Sequence, residues 1–437
     1  MFDRRALGVV QIVESLFLYC IADSAHARRV LSVEQISNAQ NVNGFDAARH
    51  RAFSSLSMGL ERARNIADLR ALARKRLPRM VFDYIDGGAD DEITSRRNVE
   101  RFRDIELTWN ALVDVETIDT NVTILGAPMR LPFFISPTAS SRLFHPRGGE
   151  CAVARAAQAA GIVYACSTLA STALEDIARR HQGPRWLQLY VWRDRSVVEE
   201  LLARAKAAGF TGVALTVDLP VAGNRERDGR NDFTIPPRVT WRTASQALSA
   251  PFYMFDLFTT PPITAANFAH MKMEGGLIQF VNAQFSRRVT WEDARWVRET
   301  WGGKFAIKGV STPDDARRAI GIGADAVWVS NHGGRQLDTA PASIDTLPAI
   351  ADAVRGDAEI VFDGGIRRGT DMVKALALGA NAIAIGRAYL YGLAAAGEAG
   401  VARAIEILES ELKRDMMLLG RTRVSDLTRD LIFQRRS

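Results

Sequence analysis

The stretch "DAVWVSNHGGRQLD" (residues 325–338) decides the fold. Its first half is a short apolar run, the mark of a strand buried on both faces. Its second half leaves that strand with a histidine, two glycines and an arginine, where a plain turn needs only small or acidic residues. The same rhythm recurs along the chain in "PFFIS" (132–136), "IVYACS" (162–167), "WLQLY" (186–190), "GVALTV" (212–217), "KFAIK" (304–308), "EIVF" (359–362) and "NAIAI" (381–385). With "AVWVS" (326–330) that makes eight runs. Ala-rich helical patterns such as "GGECAVARAAQAAG", "SVVEELLARAKAAG" and "GTDMVKALALGA" lie between them. Continuous apolar strands joined by helical crossovers form a parallel sheet covered on its faces. Eight such units predict an α/β protein of the (β/α)8 TIM barrel class rather than an open doubly wound sheet. No GxGxxG opens the first unit, which also counts against a dinucleotide-binding sheet.

Composition is ordinary for a globular protein, 47% hydrophobic and 24% charged over 437 residues. One barrel domain is expected over residues 58–437, after an N-terminal extension over residues 1–57. Within the extension, "ALGVVQIVESLFLYCIADSAHA" ends in Ala25-His26-Ala27 and resembles a poor signal peptide, but Gln11 and Glu14 interrupt its apolar core. No uncharged stretch of ~20 residues is present to span a membrane. The compact protein is therefore expected to begin at Met58 with a helix, a proline break and a short helix ending at Gly87-Gly88. The net charge of +6 is spread along the chain, so no nucleic acid partner is expected. Cys20, Cys151 and Cys166 form no CxxC pair, so neither a disulfide framework nor a zinc site is expected, and no other cluster suggests a metal. Cys166 reads as a core residue. This usage fits a reducing compartment and a cytoplasmic protein.

Strand four ends near Val217 and strand five begins near Lys304, far more chain than a crossover needs. An insertion is expected over about residues 231–289, and it is too apolar for disorder, with "APFYMFDLF", Phe268, Met271, Met273, Phe280 and Phe285. Two readings stay open. It is a lid over the barrel mouth, or it turns an apolar face to a membrane, with Lys272, Arg287 and Arg288 facing anionic lipid. On the second reading, a short linker in place of residues 245–275 is expected to release the protein from membranes without harming its chemistry.

Barrel chemistry sits at the C-terminal ends of the strands. Those ends carry Ser136-Pro137-Thr138, Ser167-Thr168, Gln188 and Tyr190, Thr216 and Asp218, Lys308, Ser330 with His332 and Arg335, Asp363-Gly364-Gly365, and Gly386-Arg387. Strand ends are always more polar than strand middles, and a strand-end histidine often does no more than hydrogen-bond. Solvation alone, however, does not gather His, Lys, Arg, Asp and Tyr at one rim. His332 is a candidate base, Asp218 its charge partner, and Arg335 a planar fork that matches a carboxylate. "DGGIRRG" and "GRA" place glycines, a helix start and Arg367, Arg368 and Arg387 where barrels often hold phosphate. A phosphate-bearing cofactor, a carboxylate substrate, one base and Lys308 as a fixed cation together suggest flavin chemistry.

The blocks "LPRMVFDYIDGGADDE", "QLYVWRDR", "LTVDLPVAGNRERD", "IKGV", "VSNHGGRQLD", "DGGIRRGTDMVKALALGA" and "IGRAYLYGLAAAGEAGV" occur in this order. Across about residues 65–430 the chain resembles the FMN-dependent α-hydroxy acid dehydrogenases and oxidases. The resemblance implies FMN as cofactor and oxidation of an L-2-hydroxy acid, with L-lactate the expected substrate and a quinone or other acceptor taking the electrons. An oxidase using O2 and a mandelate-type dehydrogenase are the alternatives. A binding role on a flavin barrel is a third class, against which His332, Arg335 and Lys308 together argue. By the same resemblance His332 is the proton acceptor and Asp218 its partner. Tyr84 and Arg335 clamp the substrate carboxylate, Arg225 is a second substrate arginine, and Tyr190 meets the substrate hydroxyl. Pro137, Thr138, Ala139, Ser167, Gln188, Thr216 and Lys308 face the flavin ring. Asp363, Gly364, Gly365, Arg367, Gly386 and Arg387 face the ribityl chain and phosphate. A homotetramer and peripheral contact with the inner face of the cytoplasmic membrane are also implied. Leu169 stands where glycolate-type oxidases carry a tryptophan, so a side chain larger than hydrogen is expected to fit.

Overall fold

The computed structural model describes residues 58–235, 237, 243–269, 271, 284 and 287–434. The extension 1–57, with Cys20, and Lys272, Met273, Phe280 and Phe285 of the insertion lie outside them. The eight apolar runs form strands β1 Phe133–Ile135, β2 Tyr164–Ser167, β3 Arg185–Leu189, β4 Gly212–Thr216, β5 Lys304–Val310, β6 Ala326–Val329, β7 Glu359–Phe362 and β8 Ala382–Ile385. They close into one parallel barrel in chain order, with β8 beside β1. Every residue of β1 to β4, β6 and β8 is buried, which explains why the sequence shows continuous apolar runs and no alternation. Phe134, Trp186 and Trp328, from the non-neighbouring strands β1, β3 and β6, meet edge to face with ring centroids 4.9 and 5.3 Å apart. Side chains from strands that do not pair touch only through the interior, so the barrel is filled and the open space lies at its mouth. Cys166 is fully buried, as its apolar setting predicts.

A hairpin of Val122–Ile124 with Ala127–Met129, not evident from the sequence, precedes β1. Its turn residue Leu125 donates its N–H to Glu359 Oε2 at the start of β7, so the hairpin covers the opposite end of the barrel from the mouth. Before it, helices α1 Ile66–Arg76 and α2 Arg79–Asp86 flank Pro78, as the proline break predicts. The crossover helices follow as α3 Gly149–Ala159, α4 Leu174–Arg180, α5 Arg195–Ala207, then, past the insertion, α8 Trp291–Trp301, α9 Pro313–Gly321, α10 Ser343–Val354 and α11 Gly369–Ala377. The insertion region holds α6 Glu226–Arg230 and α7 Pro251–Phe258, and the barrel ends in α12 Arg387–Leu419. Glu150 of α3, fully buried, accepts from the N–H groups of Ser141 and Ser171 and from the hydroxyls of Ser171 and Thr172. One carboxylate thereby ties the loops that leave β1 and β2.

The described part of the insertion is docked on the barrel. Asp256 of α7 pairs with Arg76 at 3.3 Å and with Arg147 at 2.5 Å, and the Tyr253 hydroxyl donates to the Leu143 carbonyl at 2.8 Å. Asn267 donates to the Thr168 carbonyl and accepts the Leu174 N–H. Phe268 packs on Trp192 with centroids 4.0 Å apart. These contacts hold the loops after β1 and β2. They revise the expectation that residues 245–275 are dispensable: a linker there would remove Tyr253, Asp256, Asn267 and Phe268 and loosen the mouth. Leu248 and Phe258, by contrast, turn outward at 48% and 41% exposure.

Helix α12 breaks at Ala396 and Gly397, where Gly397 adopts φ 62° and ψ −134°. The break folds two turns against each other so closely that a Cβ on Gly400 would lie 1.9 Å from the Gly392 carbonyl oxygen. Gly400→Ala is therefore expected to cost about 3 kcal/mol of stability or more, the upper range of overpacking. The denaturation midpoint reads this directly. A Gly400→Ala midpoint equal to that of the unsubstituted protein would mean the two turns do not meet.

Candidate active site

The loop after β6 explains its own composition. Ser330 Oγ accepts the His332 N–H at 3.1 Å and donates to Asp363 Oδ1 at 2.6 Å. His332, Gly333 and Gly334 then run left-handed in succession, with φ of 57°, 65° and 72°. A Cβ on Gly334 would lie 2.5 Å from the backbone nitrogen of Ser95, so only glycine passes there. The turn swings the imidazole toward β4, where His332 Nδ1 lies 2.9 Å from Asp218 Oδ1. An ionised carboxylate can only accept, so Nδ1 carries the proton and Nε2 is left with its lone pair. Asp218 reaches this place because β5 bulges at Gly309, whose missing Cβ would otherwise lie 2.7 Å from the Asp218 side chain. Burial works to raise the Asp218 carboxyl, but His332 and Lys308 outweigh it and hold it below its ordinary value. Asp218 is therefore ionised at neutral pH.

Two guanidinium groups meet over one aromatic ring beside this pair. Arg335 lies 5.0 Å from the Tyr84 ring centre and Arg225 5.8 Å. Arg335 donates to the carbonyls of Tyr84 at 2.7 Å and Gly87 at 2.9 Å, which fixes its plane. Tyr84 is held in turn by Phe233, stacked at 4.7 Å. Desolvation in the cleft, and then repulsion by Arg225, push the Arg335 guanidinium down to about 9, so it stays charged at neutral pH. Arg225 Nε is buried with no acceptor among the described residues. Burial, and then the nearby Asp218 charge, push the Tyr190 phenol up, so it remains a protonated donor.

The other strand ends form the floor. Gln188 Nε2 donates to Thr216 Oγ1 at 2.9 Å, and Ser167 Oγ donates to Gln188 Oε1 at 3.2 Å. Lys308 Nζ donates to Ser330 Oγ at 2.9 Å and pairs with Asp363 at 3.0 Å, which spends two of its three N–H groups. Asp363 also accepts from Trp328 Nε1 at 2.9 Å, so its carboxylate is committed to protein partners. Thr138 and the Tyr389 hydroxyl share a hydrogen bond. Toward β7 and β8, Gly364 and Gly365 turn the chain, and Gly386 opens α12 with no atom within 4 Å of the place a Cβ would take. The open cradle at a helix start, with Arg367 and Arg387 beside it, fits a phosphate.

Tyr84, Pro137, Thr138, Ala139, Ser167, Gln188, Tyr190, Thr216, Arg225, Lys308, His332, Arg335, Asp363, Gly364, Gly365, Arg367, Gly386 and Arg387 all line one cavity of about 240 Å³. Asp218 stands behind His332, outside the lining. Two strand-end residues go elsewhere. Thr168 turns its hydroxyl to the Gln188 carbonyl, and Arg368 pairs with the buried Glu411 at 3.0 Å. Arg387 does more than the sequence suggested. It donates to the carbonyls of Ile85, Gly87 and Gly333, tying α2 to the His332 loop. The N–H groups of Arg367 and Arg368 are taken by Asp371, so the phosphate cradle rests on the glycines, the α12 start and the Arg367 and Arg387 side chains. Sequence reading passed over Phe144, Leu219, Ala222, Ile235 and Leu390 in the cavity wall, since nothing in an apolar residue's type marks it as lining a site.

Among the described residues the cavity lining holds five cations, Arg225, Lys308, Arg335, Arg367 and Arg387, against the single carboxylate of Asp363. A phosphate and a carboxylate together answer that excess, and the donor set fits FMN at the Gly386 cradle.

The FMN-dependent dehydrogenase family matches residues 73–434. An L-lactate dehydrogenase of Caulobacter vibrioides is 42% identical over 373 residues, 84% of this chain and 97% of its own length. An L-lactate oxidase of Nostoc sp. is 42% identical over 367 residues, 83% of this chain and 96% of its own. Among solved structures, a monotopic membrane (S)-mandelate dehydrogenase gives a TM-score of 0.82 at 36% identity, over 86% of this chain and 100% of its own.

Arg335→Lys keeps a charge but loses the rigid fork that meets two carbonyls and a ligand together. Charge-assisted hydrogen bonds are worth about 1.5–3 kcal/mol each, so affinity for a small carboxylate such as propionate is expected to fall more than about tenfold. Titration followed by flavin absorbance measures this. Unchanged affinity would remove Arg335 from the carboxylate site.

Proposed function

The chain belongs to the FMN-dependent dehydrogenase family, and from that premise we propose that it oxidises L-lactate to the 2-oxo acid and passes the electrons to a quinone. The coarser statement needs no proposal: it is an FMN-dependent oxidoreductase acting on the CH–OH group of 2-hydroxy acids. The observation that carries the oxidation chemistry is the set of groups that share the cavity. Arg225, Arg335 and Tyr84 cluster beside the Nε2 of an Asp-paired histidine, in the same cavity as the Gly386 cradle with Arg367 and Arg387.

Arg335 and Arg225 hold the substrate carboxylate and so set the hydroxyl-bearing carbon near His332. Tyr190 donates to the substrate oxygen. His332 Nε2 takes one proton, and the charge it gains is stabilised by Asp218 at Nδ1. FMN, held by the Gly386 cradle with Arg367 and Arg387, would supply the acceptor for the electron pair that leaves the carbon with the second proton. Lys308, held by Ser330 and Asp363, keeps one N–H for the cavity and would offer a cation to the bound FMN. The substrate has lost two electrons and two protons, and the product is the 2-oxo acid.

The apolar wall formed by Leu169, Leu219, Ala222 and Ile235 receives the substrate's side chain. Lactate is favoured by the activities named for the two sequence relatives. Mandelate is the second reading, favoured by the solved neighbour and by leucine rather than a larger residue at 169. For the acceptor, the membrane-bound neighbour and the outward Leu248 and Phe258 support a quinone reached at a membrane surface. The contact proposed is peripheral, on the inner face of the cytoplasmic membrane; among the described residues no helix is long and apolar enough to cross a membrane. A homotetramer belongs to the same reading and is checked by light scattering.

Anaerobic mixing with L-lactate, (S)-mandelate and glycolate should bleach the flavin fastest with L-lactate. Faster bleaching by mandelate would replace the substrate. Stoichiometric peroxide in air, from a protein that stays in the supernatant beside membranes, would replace the quinone with O2. His332→Ala should keep its FMN and reduce it at least ~10²–10⁴-fold more slowly, the usual contribution of a general base. Reduction within about tenfold of the normal rate would dismiss His332 as the base.

A further inference from the structure

Arg225 stands on ground that cannot hold itself. It precedes α6, a helix of five residues at the start of the long insertion, and a helix so short has no stability of its own. No barrel strand carries it. Its neighbours instead bind the segment that bears Tyr84. On one side, Asn224 exchanges two hydrogen bonds with Asp90, each of 2.8 Å. On the other, Asn231 Nδ2 donates to Asp83 Oδ2 at 2.9 Å. Between them Arg227 lies 3.3 Å from Asp86 and in contact with Glu92. Asp86 is a firm anchor. It also accepts from Arg70 at 2.6 and 2.7 Å and from the Tyr391 hydroxyl at 2.8 Å, linking α1 and α12. Burial would raise the Asp86 carboxyl, yet Arg70 and Tyr391 hold it at about 2. Two arginines two residues apart thus point oppositely, Arg227 to carboxylates and Arg225 to the cavity.

We propose that Arg227, latched to Asp86 and Glu92, is a positioning residue that sets the Arg225 guanidinium against Tyr84 and so fixes the second half of the carboxylate site. This rests on reading Arg225 as a substrate-carboxylate residue. Without the latch, α6 keeps its two asparagine ties but loses its charged one, and Arg225 drifts from the ring it now faces.

The test is a double-mutant cycle on the FMN-loaded protein with Arg227→Gln, Arg225→Gln and both together. The readout is the propionate dissociation constant, from the change in flavin absorbance, with kcat and KM for L-lactate beside it. Propionate lacks a hydroxyl and is not oxidised, so binding is read apart from turnover. Arg227→Gln should weaken propionate by about tenfold, within the range of coupling for contacting charged groups. It should raise KM more than it lowers kcat, and Arg227→Lys should recover part of the loss. In the Arg225→Gln background the same change should have little further effect. An equal loss with and without Arg225 would overturn the latch, as would unchanged propionate affinity. Should Arg227→Gln come out without flavin, Glu92→Gln removes one arm and carries the same cycle. If no 2-hydroxy acid reduces the flavin, the oxidation reading falls while the propionate cycle still decides the latch.

Discussion

Among the described residues, five positively charged side chains converge on a cavity in which the one lining carboxylate, Asp363, is already bonded to one of them. Like charges held together in a partly desolvated space repel, and the fold must hold them there. Lys308 is held by Asp363, and Arg335 and Arg387 are held by neutral partners. The carbonyls of Tyr84, Ile85, Gly87 and Gly333 accept from Arg335 and Arg387, and the Tyr84 ring lies beside two guanidiniums. Carbonyl dipoles and an aromatic face soften the repulsion without cancelling the charge. What remains is a standing demand for anions, which a phosphate and a carboxylate together would meet.

That demand explains where the structure spends its polar groups. Asp218 is withheld from the cavity and given to His332, so the base gains a counter-charge without the arginines losing theirs. The loops that carry the site are tied from behind by carboxylates facing away from it. Glu150 holds the loops after β1 and β2, Asp256 docks the insertion, and Asp86 and Glu92 hold α6. Negative charge thus organises the rear of the mouth and positive charge its interior. Such separation lets a carboxylate substrate bind without displacing a structural ion pair.

Much of this was legible in the sequence, for identifiable reasons. Strands buried on both faces write themselves as apolar runs, so all eight are legible to within two residues. Site residues at strand ends stood out because His332, Arg335, Lys308 and Asp218 are costly types to place there. What escaped were choices of partner. Arg368 has the same type as Arg367 yet pairs with Glu411, because the helix start turns its side chain outward. Asp363 lines the cavity, and its bonds to Lys308, Ser330 and Trp328 could not be read from its type. The hairpin before β1 is two strands of three residues each, too short for periodicity to register. The insertion's docking rests on Asp256 and Asn267, polar residues that composition alone assigns to no surface.

The account's central claim is that excess positive charge divides the cavity into two anion sites, with the phosphate one at the α12 start. The direct measurement compares the affinities of the flavin-free protein for FMN and for riboflavin, which differ only in the phosphate. With two or more charge-assisted hydrogen bonds at about 1.5–3 kcal/mol each, FMN should bind at least about 100-fold more tightly, and the margin should shrink as salt is added. Equal affinities at low salt would mean that the cradle at Gly386, Arg367 and Arg387 holds no phosphate, and the division of the cavity would be wrong.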